Sequence, residues 1–190
     1  MQFLHKLNTC HISKKLWGMI IAFIFILLGS ATNADMLLTP KEYQVKAAYL
    51  FNFSKFIRWP VSAFNNHQTP IRICVLGKNP FGNFETLVKN KIVKKRNVVV
   101  ELLYNFRNSK FCHILFISKS EQGEQATILA YTRQYPILTV SDIDNFVERG
   151  GMVQFFMRTR KVRFKINPNT LKEADLSAST NLFRVAKIVK

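Results

Sequence analysis

Leu16 to Ala34 contains no charged residue, and it follows a start made positive by His5, Lys6, Lys14 and Lys15. Within it, Leu16–Leu28 is an apolar run, and Gly29–Ala34 is built mostly of small residues ending in Ala. A charged start, a short apolar core and a small-residue exit form the pattern of a secretory signal. Residues 1–34 are therefore expected to be an export signal cleaved near Ala34. The competing reading is an uncleaved anchor, because the uncharged stretch is nearly long enough to cross a bilayer. In either case residues 35–190 work outside the cytoplasm, and the expected compartment is the periplasm.

Cleavage leaves 156 residues, enough for a single domain with a real core. The signal carries three of the 28 Lys and Arg and none of the 11 Asp and Glu, so the mature chain holds a net charge of +14. In a cytosolic chain that excess would point to nucleic acid. Outside the cytoplasm the available anions are lipid head groups, lipopolysaccharide or an acidic protein partner. Part of the charge is expected to be simple solvated surface.

Cys10 falls in the signal, leaving Cys74 and Cys112, each inside a strongly apolar stretch. An even number of cysteines in an oxidising compartment favours a disulfide. Two buried free thiols are the alternative, since cysteine is often buried on packing grounds alone. A bond would stabilise by about 3–4 kcal/mol through loop closure. The pair does not suit a zinc site, which needs a second pair of ligands. No metal and no cofactor are expected.

Along the chain, Thr39-Pro40-Lys41-Glu42 reads as a capping box with proline at the first helical position. The helix is expected to run to about Ile57, with Val45, Ala48, Tyr49, Asn52, Phe53 and Phe56 on its apolar face and Lys41, Lys46 and Lys55 off it. Trp59-Pro60 ends it, because the residue before proline is pushed from the α region. Strands are expected at Ile71–Leu76, Asn97–Leu103, Phe111–Ile117 and Pro136–Val140. A helix capped by Asn79 follows the first, and another covers roughly 120–133. Gly150-Gly151 reads as a left-handed stop. Met152–Met157 and Lys161–Ile166 form a hairpin, Asn167-Pro168 caps a short helix, and a last helix spans Ser179 to Val189. This alternation gives an α/β layered domain with a mainly parallel central sheet, an antiparallel C-terminal hairpin edge and flanking helices.

The motifs for chemistry are sparse. Gly77 and Gly82 are spaced like the ends of a phosphate loop, but Asn83-Phe84 stands where Lys and Ser or Thr are needed. A turn feeding a helix beside Lys78, at the end of a parallel strand, is still a place where ligands bind. Gly77, Lys78, Gly82 and Asp142 are thus the candidate ligand-binding residues. Capping is the blander role for Asp142, which Asp144 and Glu148 follow. His67 lies in a polar loop, and His113 reads as packed rather than catalytic. No Ser, His and acid group at a motif spacing, so no catalytic residue is proposed. Two basic stretches, Lys94-Lys95-Arg96 and Arg158, Arg160 and Lys161, are expected at loop ends and are the candidate partner contacts. Neither has the interleaved aromatics of a nucleic-acid platform.

Val45-Lys-Ala-Ala-Tyr-Leu-Phe-Asn-Phe-Ser-Lys-Phe-Ile-Arg-Trp-Pro60 resembles the opening block of the YfiR-like family of periplasmic proteins. Ile73–Gly82, Cys112–Ile117, Pro136–Asp142, Gly150–Met152 and Val162–Asn167 match later blocks in order, so the resemblance covers about residues 41–188. It implies a single small α/β domain over 35–190 that is not an enzyme. It further implies a repressor that docks on the periplasmic part of a membrane signalling protein, a diguanylate cyclase or sensor kinase, restraining cyclic di-GMP signalling and biofilm formation. Cys74 and Cys112 match a pair that is disulfide-bonded in the family. A second family bridge nearer the C-terminus has no counterpart, because no cysteine follows Cys112. A homodimer and contact with the membrane surface stand as further partners, and nucleic acid does not. The alternative function is a periplasmic sensor or carrier of a small anion or other small ligand. An exported hydrolase ranks last, for want of a nucleophile–base pair.

Overall fold

A computed structural model describes residues 39–189; the expected signal segment and its cleavage point lie outside them. The first helix, α1, spans Thr39–Phe56. It stops one residue before the expected end because the chain ahead of Pro60 turns extended, forming the two-residue strand β1, Ile57–Arg58. The side chain of Thr39, expected as a cap, is outside the described residues.

The remaining elements, in order, are β2 (Ile71–Leu76), α2 (Phe84–Val88), β3 (Ile92–Val93), β4 (Arg96–Leu103), β5 (Ile114–Ile117), α3 (Gln125–Thr132), β6 (Leu138–Ser141), β7 (Val153–Arg158), β8 (Lys161–Ile166), α4 (Pro168–Glu173), β9 (Ser177–Ala178), α5 (Thr180–Val185) and β10 (Lys187–Ile188). Eight strands make the main sheet, ordered β10-β8-β7-β6-β5-β2-β4-β3. The run β4-β2-β5-β6-β7 is parallel throughout. β7 and β8 then form the expected antiparallel hairpin. β1 and β9 pair separately as a small antiparallel ribbon.

Parallel strands must be apolar on both faces, and these are. All four residues of β5 and of β6 are buried, as are five of the six in β2. Alternation divides them between two cores. Ile73, Val75, Ile114 and Phe116 face α1 and the hairpin aromatics Phe155 and Phe164. Cys74, Leu76, Leu115 and Ile117 face Ile128 and Leu129 of α3, with Ile143 and Phe146.

Several boundaries differ from the sequence expectation, each for a local reason. The helix expected from Pro80 begins only at Phe84, because Asn79 Oδ1 accepts the Phe81 N–H and closes a turn instead. The strand expected from Phe111 starts at Ile114, because Asn105 caps a 3₁₀ helix over Phe106–Phe111. The helix expected from residue 120 opens as 3₁₀ at Lys119–Glu124 before α3. The C-terminal helix ends at Val185, and Lys187–Ile188 pair parallel with β8, so the hairpin is not the outermost element. Gly150 and Gly151 do form the left-handed stop. Gly150 has φ 97°, its N–H reaches Val147 O, and the Gly151 N–H reaches Phe146 O.

Candidate functional site

Chain order reverses between β2 and β5, so the crevice beyond their C-terminal ends is the position where doubly wound sheets hold ligands. Gly77, Lys78 and Gly82, three of the four candidate ligand residues, lie on the loop that leaves β2 at this edge. Gly77 leaves β2 with φ 84°, and its N–H donates to Leu103 O. A Cβ there would collide with the side chains of Ser120 and Glu121, so glycine is needed for the loop after β5 to close against it. The Lys78 N–H donates to Ser120 Oγ at 2.9 Å, and the Lys78 side chain is exposed. The backbone donors at 77, 78 and 81 are thus already engaged by protein acceptors. Gly82, with φ 62°, has open space around it.

Asp142 sits one residue beyond β6. Ser141 Oγ donates to Ile117 O at 2.7 Å and accepts the Ile143 N–H at 3.0 Å, and these two bonds fix how the chain leaves the sheet. Asp142 caps no helix. Its Oδ2 accepts from Lys46 Nζ at 2.6 Å and from the Tyr43 hydroxyl at 2.7 Å, both on α1. Lys46 Nζ also lies 2.5 Å from Glu42 Oε1. Lys46 is only 2% exposed and Asp142 5%. Burial, and then donation to Asp142, hold the Tyr43 hydroxyl well above its ordinary pKa. The Tyr43 ring packs edge-on against Phe81, 5.6 Å between centroids, so it touches both the 77–82 loop and Asp142. Oδ1 of Asp142 has no hydrogen-bond partner among the described residues.

Sequence reasoning missed Lys46 and Tyr43, having placed Lys46 on the outer face of α1. The buried line of α1 is Lys46, Ala47, Leu50, Phe53 and Ser54, whereas Val45 is 45% exposed. The signal was present in the spacing, since Tyr43, Lys46, Leu50 and Phe53 recur every three or four residues. Lys46 and Asp142 are a buried ion pair that ties α1 to the chain leaving β6, with the partly exposed Glu42 as a second partner of the lysine. Removing one partner would leave an uncompensated buried charge, at a cost of about 3–5 kcal/mol.

His113 lies at the other end of the parallel strands. The Arg72 N–H donates to its Nδ1 at 3.1 Å, which leaves the ring proton on Nε2, 3.1 Å from Ala63 O. Phe64 stacks on the ring at 4.5 Å, and Trp59 Nε1 donates to His113 O. Burial is the main cause that lowers the imidazole pKa to about 4. With both nitrogens occupied, this histidine is a structural post. Ser62, Asn65, Arg72, Glu101, Lys110 and Phe111 line a shallow cleft of about 660 Å³ beside it, where Arg72 pairs with Glu101. Among the described residues, no three His, Cys, Asp or Glu side chains meet as a metal site.

Cys74 and Cys112 are joined by a disulfide, with Cα atoms 5.9 Å apart. Both sulfurs are buried in the core on the α3 side of the sheet.

The two basic stretches differ in how free their cations are. Lys94 and Lys95 form the two-residue turn between β3 and β4, with φ 51° and 65°. Lys94 Nζ donates to Ile57 O at 2.5 Å, and Arg96 Nη1 donates to the carbonyls of Asn66, His67 and Thr69. Lys95 is exposed. At the hairpin tip, Arg158, Arg160 and Lys161 are all exposed, and none forms an ion pair among the described residues. The turn there is also two residues long, Thr159 and Arg160 at φ 47° and 57°, which twists the flanking strands to match.

No helix among the described residues is long and apolar enough to cross a membrane. No curated protein matches the chain. The profile of one family matches residues 43–187, which begin inside α1 and end inside β10. The chain belongs to the YfiR/HmsC-like family.

Proposed function

We propose that the protein is a periplasmic regulator that docks on the periplasmic part of a membrane signalling protein, a diguanylate cyclase or sensor kinase, and restrains it. The observation that carries this reading is the family match across residues 43–187, nearly all of the described domain. A regulatory role is also consistent with the chemistry of the described residues. The buried titratable groups at both ends of the sheet, Lys46 with Asp142 and His113, are spent on holding elements together.

The expected mode is charge-assisted docking. The exposed cations of the hairpin tip and Lys95 have no carboxylate partner among the described residues, and opposite charge on a partner would speed encounter and orient it. The test is capture of a membrane signalling protein by the exported chain, followed by association kinetics. Arg158→Glu with Lys161→Glu should slow association and flatten its dependence on salt, leaving the melting temperature unchanged. Association that is insensitive to salt between roughly 50 and 300 mM, where screening shortens through about 10 Å, would rule out docking by charge. Failure to capture any membrane protein would remove the regulatory reading itself.

A further inference from the structure

A second concave surface lies on the side of the sheet where β1, the start of β2 and the β3–β4 turn meet. It is a cleft of about 360 Å³ lined by Arg58, Trp59, Phe64, Ile71, Lys94 and Arg96. Its floor is aromatic and aliphatic. Its charged lining is three cations with no acid, and none of the three has a carboxylate partner among the described residues.

The cations are placed by the fold. Lys94 sits at φ 51° in a turn without glycine, a conformation that side chains rarely adopt and that surrounding structure must impose. That turn brings Nζ to Ile57 O at 2.5 Å and to 5.8 Å from the Trp59 ring. Arg96 lies over Phe64, 3.9 Å from guanidinium carbon to ring centroid, with one nitrogen occupied by three carbonyls of the 66–69 segment. Arg58 is exposed at the end of β1, beside the other two. Burial, and then the charge of Arg58, lower the Lys94 pKa, as expected where cations converge without a counter-ion.

We propose that this cleft is a docking site for an acidic peptide segment of a protein partner, a carboxylate side chain flanked by an apolar one. The carboxylate meets Arg58 and Lys94, for which the planar fork of arginine is well shaped, while the apolar neighbour lies on Trp59 and Ile71. A free inorganic anion would leave the apolar floor bare. The inference rests on the docking reading above and gives the partner's side of the contact a chemistry.

Trp59 is the reporter. The test uses the exported chain carrying Trp17→Phe, so that Trp59 is the sole tryptophan whether or not the N-terminal segment remains. The probe is a blocked hexapeptide of alternating glutamate and leucine, with the glutamine–leucine peptide as its control. The glutamate peptide should shift Trp59 emission saturably, and the glutamine peptide should not. Arg58→Gln with Lys94→Gln should weaken binding by about tenfold or more and reduce its salt dependence. Lys119→Gln, which removes an exposed cation at the opposite end of the strands, should bind like the parent and so shows that loss of a surface cation outside the cleft does not weaken binding. Thermal melts establish that each variant is folded.

Equal binding of the two peptides, or of the parent and the double variant, overturns the proposal. So does an Arg58- and Lys94-dependent response to inorganic phosphate without one to peptide, which makes the cleft a simple anion site. The same response to phosphatidylglycerol vesicles alone assigns it to the membrane surface instead. If the double variant captures its membrane partner as well as the parent does, the cleft is not the contact, and the docking reading still stands. If the parent captures none, the docking reading falls, and the peptide titration still decides the cleft.

Discussion

His113 and Lys46 illustrate what a single titratable residue becomes when the fold engages all of its polar atoms. Both are almost fully buried. His113 was legible as a packed residue from its position between Cys112 and Ile114. Its hydrogen bonds were not legible, since Arg72 and Ala63 lie 41 and 50 residues away in the sequence. Its depressed pKa has a direct consequence for stability. The folded chain holds the ring neutral down to about pH 4, whereas the unfolded chain protonates near the ordinary value of 6.5. Stability from this residue is therefore complete above pH 6.5 and is lost as pH falls toward 4, by about 3 kcal/mol in all. Urea midpoints of the parent and of His113→Asn, measured from pH 7.5 to 4, should converge on acidification. Parallel curves would mean that the imidazole titrates normally in the folded chain.

At the scale of elements, α1 shows both how far pattern reading reaches and where it stops. Its existence and its end before Pro60 follow from periodicity and proline sterics. Its rotation does not, because the buried stripe includes a lysine whose counter-ion, Asp142, lies on another element far along the chain. Assigning lysine to the surface turned the expected face away from Lys46 and toward Val45. The helix as found separates two aromatics that the sequence treats alike. Phe53 is fully buried between Phe155 and Phe164, with centroids at 5.9 and 5.2 Å, while Phe56 is only partly buried. Phe53→Ala should cost about 3–5 kcal/mol, and Phe56→Ala clearly less. Denaturant unfolding of both variants checks this, and equal losses would mean that the rotation described for α1 is wrong. The short strands β1, β3, β9 and β10 were invisible for a related reason. Two residues carry no periodicity, and each such strand exists only through its partner.

For the whole molecule, the sheet's layered character was readable from apolar runs punctuated by turns, while its strand order was not. The disulfide belongs to this scale because it links the first parallel strand to the segment leading into β5, its neighbour in the sheet but not in sequence. Replacing Cys74 and Cys112 together by Ala should lower stability by about 2–4 kcal/mol while leaving the fold intact. Calorimetric and urea unfolding of the exported protein, with and without reductant, measures it. Two freely alkylated thiols in unreduced, denatured protein would contradict the bond.

The two ends of the main sheet share a property whose importance is colloidal. Each terminates in a strand of only two residues, β3 at one side and β10 at the other. β10 covers Lys165 and Ile166 of β8, and beyond it the row continues past exposed Arg163 and Lys161. A growing fibre needs a long, flat, uncharged row of free donors and acceptors on which to add its next chain. Here β3 covers only Arg96 and Asn97 of β4, no strand among the described residues pairs with Val98–Leu103 on that side, and the other side is lined with like charge. On the hairpin side, the like charge of Arg163, Lys161 and the exposed tip opposes the approach of a second copy.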